Sequence, residues 1–510
     1  MKAYLMHRDR DFGLEHELPP RADALTEDLE LHTVLAAMAA GDEFVYEVAK
    51  RALLVSLRDP DEIVYRQQVL TDCLENAPVV RALYELTSAA IKAEKSIWGG
   101  LYRDSPSRLL SNSVQKMELL VGFLRQLRDL ADRAAPHFHS PGFRRYFAML
   151  RAELDDAYFA QVESYLKQLK FKAGVLLSAQ LGAGNKGRNY ALRRMRDQGW
   201  LGRVFDRSGY SFTLPERDEG GFRALGELED KAENIVADAL AQSVEHVRSF
   251  FVMQRIEIGF YLGCLNLSER LTANGEDTCL PTVLAHSDVA LTAEALYDVS
   301  LSLTIEGRVV ANDIDADRTS LVVITGANQG GKSTFLRSVG LAQVMMQCGM
   351  FVGATSLRAN VCTGLFTHYK RGEDETMKSG KLDEELARMS AIADHITPAA
   401  MLLCNESFAA TNEREGSEIA RQVVHALVHE GVKVLFVTHL FDLADGFYRE
   451  ALDTTLLLRA ERGEDGTRPF TVTEGRPLPT SYGEDSYRKV FGTPLAAAAP
   501  PETGRPLRPR

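Results

Sequence analysis

The sequence lacks any apolar run long enough to span a bilayer, for which about 20 consecutive apolar residues are needed, so no membrane partner is expected. Residues Met1 to Asp11 are mixed and charged and carry no apolar h-region. A secretory signal is therefore not expected, and the cytoplasm is the predicted compartment. The six cysteines (Cys73, Cys264, Cys279, Cys348, Cys362, Cys404) are scattered, with no C-x-x-C pair. That argues against zinc and against a disulfide framework. Excess positive charge is also missing: 59 Lys and Arg face 71 Asp and Glu, for a formal net charge of −12. A chain that grips nucleic acid over its whole surface is usually basic, so only a local basic patch is left for that purpose. No internal repeat is present. The remainder, 45% apolar and 25% charged over 510 residues, is ordinary for a globular protein and allows roughly two to four domains.

One run stands out: Thr325-Gly326-Ala327-Asn328-Gln329-Gly330-Gly331-Lys332-Ser333-Thr334. It contains the P-loop pattern G-x-x-x-x-G-K-[ST]. An apolar strand precedes it (Leu321, Val322, Val323, Ile324), and a helix-forming stretch follows from Phe335. Glycines let backbone N–H groups close around phosphates, lysine reaches the terminal phosphates, and the serine hydroxyl ligates magnesium. The positive end of the new helix faces the same anion. Gly326 through Thr334 are thus the expected cradle for ATP or GTP, with Lys332 on the phosphates and Ser333 on Mg2+.

The first half reads as helical. Apolar residues recur at helical spacing over Ala22 to Leu57, Ser113 to Ala135 and Gly142 to Leu169. Phe222 to Leu271 reads either as one helix of about 75 Å or as two with a break near Gly259 or Gly263. Between these helices Phe171 to Arg217 is glycine-containing and basic. It carries Lys186, Arg188, Arg193, Arg194, Arg196, Arg203 and Arg207, interleaved with Tyr190, Trp200, Phe205 and Tyr210. The first five cations are candidates for phosphate-backbone contacts with DNA. A solvated loop or small β subdomain is the alternative. From about Leu280 strands and helices alternate, with strands expected at Leu321–Thr325, Met401–Asn405, Val434–Thr438 and Thr454–Leu458. Glu461 to Arg468 reads as a polar turn between late strands, and 492–510 as a disordered Pro/Ala/Arg-rich tail.

Phosphoryl transfer also needs a metal shell and a positioned water. Met401-Leu402-Leu403-Cys404-Asn405-Glu406 is an apolar strand ending in a polar pair, the Walker B form. Asn405 stands where an aspartate would usually hold the magnesium shell. Glu406 is placed to polarise the attacking water; otherwise it is a strand-end surface carboxylate. Val434 to Thr438 leads into His439, which can bond the γ-phosphate or the water, or serve structure alone.

These residues resemble the MutS family of mismatch-repair ATPases, whose loop usually reads TGPNMGGKST. The likeness continues through Phe335-Leu336-Arg337 and Gly349 to Ala354, with Gly353 where the family commonly has proline. Asn405, Glu406, Ala410, Thr411 and Gly416 keep the family's spacing after its acidic pair. Asn312-Asp313, Thr438-His439 and Ser481-Tyr482-Gly483 also match. The helical half, with Asp59-Pro60 and Arg66-Gln67-Gln68, is similar in texture to the family's core and lever domains. The resemblance implies an ABC-like P-loop α/β ATPase domain in the C-terminal half, preceded by an all-α core and lever domain with a small basic insertion. The expected bounds are 1–140 for the helical core, 141–272 for lever helices with the insertion at about 171–217, and 280–491 for the ATPase. It further implies a dimer, expected as a homodimer, in which Ser379 of the Ser379-Gly380 pair would complete the partner's ATP site in trans. A surface loop is the alternative there, because Glu384, Glu385 and Met389 depart from the family's downstream spacing. No early Phe-x-Glu motif or N-terminal mismatch-reading domain is recognisable, so mismatch recognition is not expected. The leading reading is an ATP-gated DNA clamp with ATP and Mg2+ as cofactors. The rival is a slow nucleotide switch or scaffold, favoured by Asn405. An SMC-like ATPase lacks support, because no long coiled coil is present.

Overall fold

The computed structural model describes residues 1–15, 17–97, 106–170, 177–181, 187–192, 219–371, 380–463 and 466–479. The chain forms two compact units. The first is built from Met1–His16, Asp42–Ala49 and Gln68–Leu265, and the second from Glu17–Gly41, Lys50–Gln67 and the chain from Asn266 onward.

Among the described residues, the regular structure of the first unit is helical apart from one antiparallel hairpin, β1 (Leu177–Leu181) with β2 (Gly187–Leu192). The hairpin falls inside the basic insertion. The stretch Gly142 to Leu169, read as one helix, is two: Pro141–Glu153 and Asp156–Leu169. The break has a local cause. Asp155 takes extended backbone and its carboxylate accepts the Tyr158 N–H, capping a new helix. The open question at Gly259 is answered by one continuous helix, Glu219–Ala273, of 55 residues. Gly259 has no positive φ and lies against the Tyr84 and Phe44 rings, where an added Cβ would meet Tyr84 Cε2 at 3.4 Å. Its smallness lets aromatics approach the helix rather than ending it. Two residues earlier, Glu257 accepts the Leu5 N–H at 2.7 Å and the Phe12 N–H at 3.2 Å.

The second unit is mixed α/β. In chain order its strands are β3 (Thr282–Leu284), β4 (Leu291–Leu296), β5 (Asn312–Asp315), β6 (Leu321–Gly326), β7 (Ser356–Asn360), β8 (Leu365–Tyr369), β9 (Met401–Asn405), β10 (Lys433–Val437), β11 (Thr455–Ala460) and β12 (Val472–Glu474). Six form a sheet in the order β12-β11-β6-β10-β9-β8, parallel except for the antiparallel β12. A second sheet runs β3-β7-β4-β5.

The central strands β6 and β10 are buried almost throughout, as expected of a sheet covered on both faces. Leu321, Val323, Leu402, Cys404, Val434 and Phe436 share one core with the helices Lys381–Ala393, Glu413–His429 and Phe441–Glu450. The alternate residue Leu403 points the other way, against the helix Lys332–Gln347 at Gly340. Two early segments belong to this unit because their polar groups pair within it. Leu57 N–H donates to the Gln347 carbonyl at 2.9 Å, and Arg66 donates to the Cys348 carbonyl at 3.2 Å. Arg337 of the same helix holds both Asp298 and Glu30.

Candidate active site

Because β6, β9 and β10 are parallel, their C-terminal ends lie along one edge of the sheet. Val437 stands opposite Asn405 on one side and Ile324 on the other. Hydrogen bonding continues past the strand ends: Glu406 N–H donates to Val437 O at 2.9 Å, and Thr438 N–H to Ile324 O at 3.0 Å. The loop Gly326–Gly331, the Asn405-Glu406 pair and His439 therefore converge. In open α/β sheets this edge is where ligands bind.

The loop has the backbone its glycines were expected to supply. Gly326 lies at φ 111° and Gly331 at φ 89°. A Cβ on Gly326 would fall 2.7 Å from the Ala460 carbonyl oxygen of the neighbouring β11. Gln329 also takes a left-handed conformation, at φ 58°. Gly330 N–H closes the turn onto Ala327 O at 3.1 Å, and the Asn328 carbonyl accepts from Arg468 at 3.2 Å. Gly331 then caps the helix that starts at Lys332 and carries Ser333 and Thr334 in its first turn.

Lys332 is buried, and its Nζ donates to Gly326 O at 2.9 Å and Ala327 O at 3.0 Å. Burial lowers its pKa; the Glu406 charge opposes this and Arg468 adds to it. Ser333 Oγ donates to Asn405 Oδ1 at 2.9 Å. Glu406 Oε1 lies 3.7 Å from His439 Nδ1, too long for a strong hydrogen bond. His439 is nevertheless the main cause that holds the Glu406 carboxyl below the usual carboxylate value; Lys332 and Lys370 assist, and burial opposes.

The turn after β9 is strained. Glu406 has φ 54° and the fully buried Phe408 has φ 62°, conformations costing on the order of 1–3 kcal/mol each for such residues. They persist because the surroundings over-determine them.

Beside the loop lies a cavity of about 420 Å³ lined by Tyr297, Val310, Asn312, Gln329, Phe335 and Phe470, among others. The Tyr297 hydroxyl is buried without a hydrogen-bond partner. Asn312, noted in the sequence only for its place before the loop, has a local task. Its amide donates to Phe470 O at 3.2 Å and accepts from Val472 N–H at 2.7 Å. It thus ties β5 to the late hairpin. Phe470 itself was missed, because a lone phenylalanine after a polar turn carries no sequence signal.

Lys186, Arg193, Arg194, Arg196 and Ser379 lie outside the described residues, as do Ser481-Tyr482-Gly483 and the tail 492–510. Arg188 belongs to β2, of which only the backbone is described.

An α/β unit with a buried strand, a glycine-rich loop and a lysine folded back on it is an ATPase-like domain. Residues 322–485 match MutS domain V, and residues 58–274 match the MutS2 N-terminal domain. The chain belongs to the MutS family. It is 31% identical over 170 residues to the DNA mismatch repair protein MutS of Clostridium kluyveri, covering 32% of this chain and 19% of that protein. With the DNA mismatch repair protein MutS of Thermotoga sp. (strain RQ2) it shares 32% identity over 188 residues, 36% of this chain and 23% of the relative. The matched region thus spans about a fifth of the length of these relatives. Among the described residues no helix is long and apolar enough to cross a membrane.

Proposed function

We propose that the second unit is a P-loop, ABC-like ATPase that binds and hydrolyses ATP. The observation that carries this reading is the convergence of Lys332, Ser333, Asn405, Glu406 and His439 at one sheet edge, beside a cavity of about 420 Å³. Gly326 to Thr334 would wrap the phosphates, with Lys332 leaving its loop carbonyls for phosphate oxygens. The base would enter the cavity between Val310 and Phe470. Glu406, kept ionised by His439 and Lys332, would orient the attacking water.

Magnesium fits the donor set, because Ser333 Oγ and Asn405 Oδ1 are two hard oxygens 2.9 Å apart. Among the described residues no cluster of three His, Cys, Asp or Glu could hold a metal, so phosphate oxygens and water would supply the rest of the shell. When bound, the ion would offset charge on the transferring phosphoryl group.

The 31% and 32% identities to proteins named for DNA mismatch repair support the wider reading. In it the chain acts on duplex or branched DNA as an ATP-gated dimeric clamp that does not read mismatches. Ser379 would complete the partner's site, and the insertion carrying Lys186, Arg188, Arg193, Arg194 and Arg196 would meet the DNA backbone. Steady-state ATP hydrolysis, with and without duplex and branched DNA, tests both levels, with Lys332→Ala as the blank. Turnover lost in the blank supports the ATPase, and stimulation by DNA supports the clamp. Turnover no higher than the blank, with nucleotide still bound, would replace this reading by the nucleotide switch that Asn405 suggests.

A further inference from the structure

Behind the strained turn lies a polar cluster that the proposed chemistry does not use. His368, on β8, has no exposed surface. Its Nδ1 lies 2.7 Å from Ser407 Oγ, and its Nε2 lies 3.0 Å from the Glu385 carbonyl oxygen. A carbonyl can only accept, so Nε2 carries the proton and donates to it. Burial pushes the imidazole down to about 4, with the Arg388 charge assisting, so the ring is neutral at ordinary pH. Nδ1 is then an acceptor and the Ser407 hydroxyl is the donor it faces; the His368 carbonyl, also at 2.7 Å, is that hydroxyl's alternative acceptor. The ring stacks on Phe408 with centroids 5.4 Å apart.

The helix Lys381–Ala393 closes the cluster from the other side. Its Glu385 is buried; burial pushes the carboxyl up, opposed by Arg388 and Lys370 and then by the Phe408 and Ala410 N–H groups, while Oε2 makes no hydrogen bond. One turn later Arg388 donates to the Tyr369 carbonyl of β8 at 2.8 Å. Ser407 is thus held by a side chain from β8, and that side chain is in turn tied to the backbone of this helix at Glu385, whose carboxyl the Phe408 and Ala410 N–H groups favour in its charged form.

We propose that His368 and Glu385 are positioning residues for Glu406: they clamp the strained turn after β9 and so fix where the glutamate carboxylate points. This rests on the ATPase reading above and concerns the same site. Neither residue would touch nucleotide. Their effect would fall on turnover, because the loop and cavity that bind nucleotide are built from other elements.

The test compares His368→Ala, Glu385→Ala, Glu385→Gln and Ser407→Ala with the unaltered protein. It measures turnover, nucleotide affinity and amide hydrogen exchange at residues 407–410. Glu385→Ala and His368→Ala should lower kcat by about 10²-fold, the size expected of a misplaced catalytic group. Nucleotide affinity should stay within about twofold, and exchange at 407–410 should speed up. Glu385→Gln, which keeps the side chain's size and an acceptor oxygen, should restore slow exchange and most of the turnover. Should His368→Ala fail to fold, Ser407→Ala breaks the same link with a smaller change. Unaltered kcat and exchange in Glu385→Ala and in the histidine or serine variant would overturn the proposal. A wild type no faster than the Lys332→Ala blank would sink the ATPase reading instead, and exchange at 407–410 would then decide the clamp alone.

Discussion

Asn405 is the residue on which the rate of the proposed reaction turns. Its Oδ1 accepts from Ser333, so in the proposed site it would supply a metal-shell oxygen without the charge. Restoring aspartate should tighten the Mg2+ requirement and raise turnover. The check is a magnesium titration of ATP hydrolysis for Asn405→Asp; an unchanged midpoint would remove residue 405 from the shell. A different residue carries a stability prediction. Lys433 is buried at the start of β10, where its ammonium donates to the Ala316 carbonyl oxygen at 3.4 Å. Burial pushes its pKa down from 10.5 to about 8, opposed by Asp317. Between those two values the unfolded chain binds the proton that the folded chain has lost, so stability rises with pH across that window. Below pH 8 both states are protonated and the full cost of burying the charge is present. Lys433→Met should therefore stabilise the protein at pH 7 by roughly 1–3 kcal/mol. The advantage should shrink from pH 8 toward 10.5, as read by denaturant unfolding at several pH values.

At the scale of elements, the turn after β9 depends on how closely the helix Glu413–His429 approaches it. Gly416 lies in the first turn of that helix, and an added Cβ would sit 2.4 Å from the Phe408 carbonyl oxygen. Its φ is not positive, so the glycine answers to proximity and not to backbone conformation. Gly416→Ala should cost about 1–3 kcal/mol and lower kcat, because the displaced backbone belongs to the turn that carries Glu406. Thermal unfolding and steady-state turnover measure the two effects; a stable variant with full activity would show that the turn tolerates the shift. The strands that carry the site, β6, β9, β10 and β11, were legible as apolar runs between turn signals. β8 was not: Leu365-Phe366-Thr367-His368-Tyr369 mixes polar and apolar residues, and its pairing with β9 is made over a long sequence separation. His368 and Glu385 were passed over for the same reason. Nothing local marks a histidine whose partners lie 39 and 17 residues away.

At the scale of the whole molecule the proposed activity requires two copies. Glu406→Gln should hold ATP without cleaving it, so sedimentation of that variant should show ATP-dependent association that Lys332→Ala lacks. Association indifferent to nucleotide in both variants would argue against ATP-gated closure. The phosphate loop, the polar pair after β9 and the alternation of strands and helices were determined by the sequence alone. Each is a short-range pattern whose chemistry follows from residue type and spacing. The tertiary structure decided what short range cannot carry: that Gly259 sits within one unbroken helix, that Phe470 and Asn312 wall a cavity beside the loop, and that a buried histidine and glutamate meet behind Glu406. Those facts depend on which side chains are brought together across the fold, and contact of that kind leaves no periodic trace along the chain.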